Sequence, residues 1–99
     1  MRTETIRIES NYSSRPLKKH PYANAKVLET DTGAILVSYS TVVAQISFDK
    51  AFCYGLYSMT TRKHISAFAN EHGLSYGVFK KVYEGEYLCY DISANEFVK

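Results

Sequence analysis

Between residues 25 and 57 apolar and polar side chains alternate in short runs, and at Ser58 the alternation gives way to a helical period. A period of two sends successive side chains to opposite faces of a strand. Spacing of i, i+3, i+4 and i+7 gathers them on one face of a helix. A chain with both patterns in separate blocks is expected to lay a helix on a sheet. Alternation predicts strands over residues 3–9, where Ile6 and Ile8 share a face, and over 25–30, 34–39, 42–48 and 51–57. Asp31-Thr32-Gly33 and Asp49-Lys50 read as turns between them, while Ser40-Thr41 is a bend or a polar point in one longer strand.

Ile65, Phe68, Ala69 and His72 follow the helical spacing and define a helix over about residues 61–72. Ser58, Thr60 and Thr61 are candidate N-caps, Gly73 sits where a left-handed C′ residue belongs, and Leu74 is placed for the accompanying apolar contact. Alternation returns over 76–83 and 86–92 around Glu84-Gly85, which reads as a hairpin. Ser93-Ala94-Asn95-Glu96 has the form of a capping box, which allows a short terminal helical turn. The sum is an α+β fold: one domain over 1–99, a mostly antiparallel twisted sheet of about five to seven strands, and one main helix on one face.

Composition narrows the class. With 99 residues, 45% of them hydrophobic, 22% charged and a net charge of +2, the chain is neither a disordered tail, a coiled coil nor a collagenous repeat. No apolar run approaches the length of a membrane span, and the polar opening Met1-Arg2-Thr3-Glu4-Thr5 does not read as a signal peptide. Cys53 and Cys89 lie in apolar runs without metal-type spacing, and His20, His64 and His72 do not complete a ligand set. Buried free thiols in a reducing cytoplasm are therefore expected, with no metal and no cofactor.

Three features are candidates for function. Residues 11–24 break every period and form a basic loop or arm: Arg15, Lys18 and Lys19 fall there and Lys26 just beyond, with no acid between Glu9 and Glu29. Such an arm suits phosphates, with Tyr12 and Tyr22 available to stack on bases, although an ordinary solvated loop has the same composition. The helix start carries Tyr57, Ser58, Thr60, Thr61, Arg62 and Lys63, hydroxyls and cations at the positive end of a helix dipole, which suits an anion. Hydroxyl capping with solvated cations is the plain alternative. Nine Tyr and five Phe without Trp suggest, third, that several rings lie on an open sheet face fit for contact. Glu84, Glu86, Asp91 and Glu96 make the closing region acidic and oppose it to the basic arm.

Catalysis is not expected. Ser58 and His64 are conceivable as nucleophile and base, but Gly55-Leu56-Tyr57-Ser58 lacks nucleophile-elbow spacing and no acid is placed to orient His64, which simply flanks the core.

Ser38-Tyr39-Ser40-Thr41-Val42-Val43-Ala44, followed by Gly55-Leu56-Tyr57-Ser58-Met59-Thr60-Thr61-Arg62-Lys63-His64-Ile65-Ser66-Ala67-Phe68, resembles a family of small bacteriophage and mobile-element proteins. The resemblance spans roughly residues 25–73 and carries over no activity. It implies a non-catalytic accessory protein in the host cytoplasm that binds a host macromolecule, first of all an anti-CRISPR-like stoichiometric inhibitor of a host defence nuclease or nuclease–RNA complex. The alternative is a small nucleic-acid-binding accessory protein using the basic arm, the helix start and exposed tyrosines. A homodimer paired through an edge strand is a third reading.

Overall fold

A computed structural model describes residues 13–99. The strand expected over 3–9, and Tyr12, lie outside the described residues. Seven strands follow in chain order: β1 (Ser13–Pro16), β2 (Ala25–Glu29), β3 (Gly33–Ser38), β4 (Thr41–Ser47) and β5 (Lys50–Cys53), then after two helices β6 (Cys89–Asp91) and β7 (Glu96–Val98). They lie side by side in that same order, every pair antiparallel. The helices α1 (Met59–Glu71) and α2 (Tyr76–Glu84) form the single interruption of this meander. The expected α+β class and strand number hold.

Register explains which face is covered. Val27, Leu36, Ala44 and Cys53 stand opposite one another across β2–β5, and Ala34, Ile46, Ala51, Tyr90 and Phe97 form a second row across β3–β7. The alanines leave room for Ile65, Phe68 and Ala69 of α1 and for Phe79 and Val82 of α2 to sit down on the sheet. Phe68 and Phe79 join the helices, ring centroids 6.0 Å apart and tilted by 56°. Burying each such side chain contributes about 1.5–3 kcal/mol. A bulge on β4 shifts register between Leu36 and Val37, so the consecutive Val43 and Ala44 both enter the core.

Close approach and turn chemistry fix the hairpins. A Cβ on Gly33 would stand 2.0 Å from the Ile46 carbonyl oxygen, so only glycine lets β3 start beside β4. The β4–β5 turn has two residues, Phe48 and Asp49, both at positive φ, which is the pattern of a type I′ turn. At the end of α1, Leu74 N–H donates to the Ala69 carbonyl and Gly73 N–H to that of Asn70, with Gly73 at φ 73°. These are the paired bonds of a Schellman motif, as the sequence predicts.

Several expectations fail. Residues 13–16, expected within a loop or arm over 11–24, form β1 by pairing with β2, and the strand expected over 51–57 ends at Cys53. Residues 76–83 form α2 rather than a strand, because Phe79 and Val82 bury against the sheet and Tyr76 packs beside them at helical spacing. Glu84-Gly85 consequently ends a helix and is no hairpin. Residues 92–95 form a turn instead of a helix: Asp91 pairs with Glu96, the Asp91 carboxylate accepts from Ala94 N–H at 3.0 Å, and Asn95 adopts positive φ. Nor do the tyrosines tile an open sheet face. Tyr90 lies on the helix-covered face, Tyr76 and Tyr83 on α2, and Tyr22, Tyr39, Tyr54, Tyr57 and Tyr87 in connections, Tyr54 alone stacking on Phe52 of β5 and donating to Gln45 of β4. The helical outcome for 76–84 and the short β5 take these rings out of the sheet.

Candidate functional site

The loop after β1 is held in place and does not float as an arm. Its first residue, Leu17, is 0% exposed and joins the core. Arg15 forms ion pairs with Glu29 and, at 2.6 Å, with Glu71 at the end of α1, and Lys18 N–H donates to the other Glu71 oxygen at 2.7 Å. Ala23 N–H closes a turn onto the His20 carbonyl, and Tyr39 N–H donates to that of Asn24. The Arg15 guanidinium is thereby committed to two carboxylates, which raise its pKa, and is not free for a phosphate.

So anchored, the loop faces the first turns of α1 across a cleft of about 420 Å³. Lys19, His20, Pro21, Tyr22 and Ala23 form one wall and Thr60, Lys63 and His64 the other. A second hollow of about 460 Å³, sharing Ala23, continues past Lys26 to Tyr39 and Ser40. Two features that are separate in the sequence, the basic segment and the helix start, thus meet at one surface. Of the candidate residues, Lys19, Tyr22, Thr60 and Lys63 line the cleft. Tyr22 stands out at 99% exposure, and Tyr57 and Met59, just before Thr60 in the chain, are also exposed. Lys18 and Arg62 are exposed but do not line it.

Ser58 and Thr61 have structural partners. Ser58 is the N-cap of α1, its Oγ accepting from Thr61 N–H at 3.2 Å and donating to Thr61 Oγ1 at 3.3 Å. Thr61 Oγ1 lies 3.3 Å from Ser38 Oγ, and Ser38 Oγ lies 2.9 Å from His64 Nδ1. Ser38, Thr61 and His64 are all buried. Burial lowers the His64 pKa, and the nearness of His20 lowers it further, which favours the neutral ring.

Sequence reasoning did not place His20 and His64 in the site. The signal for His64 was its position one residue before Ile65 and three after Thr61, which sets it on the edge of the buried helix stripe.

The acidic closing region is less one-sided than its sequence. Lys50 pairs with Asp91 at 3.3 Å, Lys81 lies 4.5 Å from the centre of the Phe97 ring, and Lys99 lies 4.8 Å from that of Tyr87. Both cysteines are buried free thiols, and burial pushes Cys53 up to about 11. Among the described residues no three His, Cys, Asp or Glu side chains gather as a metal would require, and no helix is long and apolar enough to cross a membrane.

Residues 6–85 match a family of unknown function, DUF8033, and the chain belongs to it. No curated protein and no solved structure matches the chain.

Proposed function

We propose that this member of DUF8033 is a non-catalytic binding protein whose working surface is the cleft between residues 19–23 and the start of α1, and that its partner is single-stranded nucleic acid. The observation that carries this reading is the convergence of Lys19 and Lys63 on opposite walls of one cleft, with Tyr22 exposed at its mouth. Paired cations track a phosphate backbone, and a protruding tyrosine offers a base a stacking surface without selecting sequence. The hydroxyl bonded to His64 belongs to Ser38, which is buried behind the ring and does not line the cleft, so it is not placed as a nucleophile.

Fluorescence anisotropy of a short labelled oligonucleotide over a salt series tests the proposal. Affinity should fall steeply with salt, and the Lys19→Ala/Lys63→Ala double variant should flatten the log–log slope by about 1.4, at about 0.7 per phosphate contact for single strands. A slope unchanged by the double variant, or binding insensitive to salt, would overturn the reading.

A second reading is a stoichiometric inhibitor of a host defence nuclease. It is favoured by exposed Tyr57 and Met59 at the start of α1, side chains that seat well in a protein partner. Capture from a host lysate before and after nuclease digestion separates the two. A nuclease retained after digestion supports inhibition, and loss of every partner supports nucleic acid.

A further inference from the structure

His64 meets the cleft in an unusual way. It is 2% exposed, its Nδ1 is taken by Ser38, and its Nε2 has no hydrogen-bond partner among the described residues, although the residue forms part of the cleft wall. The buried side-chain atom left unpaired among the described residues is the Tyr76 hydroxyl and not His64 Nε2, so the free nitrogen of this ring borders the open space of a cation-lined cleft.

The hydroxyls behind the ring offer it a consistent set of donors. Ser58 Oγ accepts the Thr61 N–H, so its own proton goes to Thr61 Oγ1. Thr61 Oγ1, having accepted, can donate to Ser38 Oγ at 3.3 Å, and Ser38 can in turn donate to His64 Nδ1 at 2.9 Å. Every bond in this chain then runs towards the cleft. A neutral imidazole that accepts at Nδ1 carries its hydrogen on Nε2.

We infer that His64 is held as the Nε2–H tautomer by the Ser58–Thr61–Ser38 hydroxyl chain, and that the cleft is a site for one phosphate group, which accepts from His64 Nε2–H between the ammonium groups of Lys19 and Lys63. The inference rests on the nucleic-acid reading for its ligand and deepens it, since it names the group recognised. His20 stands on the opposite wall. Ser38 and Thr61 are positioning residues: they fix the tautomer and touch no ligand.

Long-range proton–nitrogen NMR of the histidine side chains in labelled protein tests this, first free and then with three probes: inorganic phosphate, a 5′-phosphorylated oligonucleotide and its 5′-hydroxyl counterpart. The expected result is an Nε2–H tautomer for His64 in the free protein and a shift of that proton on adding phosphate. Ser38→Ala should release the tautomer preference and weaken phosphate binding by roughly threefold to tenfold, the worth of one neutral hydrogen bond. Thr61→Val, which cuts the chain one link earlier, is the second variant if Ser38→Ala does not fold.

An Nδ1–H tautomer in the free protein overturns the inference. So does phosphate that leaves the His64 resonances unmoved while oligonucleotides still bind, an outcome that spares the nucleic-acid reading. Phosphate that shifts His64 while neither oligonucleotide does so leaves the site standing and defeats that reading. A stronger response to the phosphorylated oligonucleotide than to the hydroxyl one assigns the cleft to a strand end, and equal responses assign it to the backbone.

Discussion

Replacing Glu71 by Gln removes one negative charge from the point where the β1 segment, the cleft loop and the end of α1 are tied together. The Glu71 side chain is 6% exposed, and it stands on the last residue of α1, where the negative end of the helix dipole disfavours an acid. Burial pushes its pKa up, but the hydrogen bonds from Arg15 and the Lys18 N–H, with the Arg15 charge, outweigh that and hold it below its ordinary value of 4.5. A hydrogen bond to a charged group contributes about 1.5–3 kcal/mol. Arg15 keeps Glu29 in the variant, and relief at the helix terminus returns about 0.3–1 kcal/mol, so a net loss of about 2 kcal/mol is expected. For a domain of this size that lowers Tm by about 8–16 °C.

Urea unfolding followed by far-ultraviolet circular dichroism measures the loss. Because the folded carboxyl titrates below its unfolded value, its contribution is complete above the unfolded pKa of about 4.5. It disappears as the pH falls through the lower folded value, so wild-type and variant stabilities should converge in acid. A difference under about 0.5 kcal/mol at neutral pH, or one that persists undiminished in acid, would refute the argument, since buried charged pairs lose far more than that when cut. The loop carrying Lys19 and His20 is anchored at the same carboxylate, so affinity at the cleft should fall with stability.

Gly33→Ala should destabilise by about 1–3 kcal/mol in the same unfolding assay, because its Cβ would meet the Ile46 carbonyl carbon and oxygen and force β3 away from β4. Tyr76→Phe should be neutral or stabilising, since the Tyr76 hydroxyl is buried without a hydrogen-bond partner among the described residues and its removal ends an unpaired burial. Native protein should react slowly with a thiol reagent at Cys53, whose thiol is buried and titrates only near pH 11, and rapidly once urea unfolds it; fast labelling of the folded state would contradict the core assignment.

The sequence was readable where local chemistry and tertiary packing agree. Ser58 caps α1, Gly73 closes it, and strands β2 to β4 fall within a residue or two of the alternating runs. Over residues 76–83 the pattern misleads because Tyr, Val and Phe carry strand propensity, and Ser75, at the N-cap position, makes no side-chain cap bond to announce the helix. What decides the outcome is the burial of Phe79 and Val82 three residues apart, a tertiary effect that alternation cannot register. The short β1 was hidden by its polar Ser-Ser-Arg-Pro sequence, and it is defined by pairing with β2 rather than by any pattern of its own. At the site, the helix start and the basic segment were both legible, but their meeting depends on Leu17 and Glu71, two residues that bear no mark of function.

The order of the strands also sets a timetable. β1 to β5 pair only with neighbours along the chain, so each hairpin closes a short loop and can form as soon as its second strand exists. β5 is different: its second partner, β6, arrives only after both helices have been made. Until then the Lys50–Cys53 edge lies open to any extended chain nearby, and on the ribosome that interval lasts seconds. The placement of Lys50 on that edge, a charge that discourages intermolecular pairing before Asp91 arrives to meet it, makes the unfinished sheet safer to synthesise.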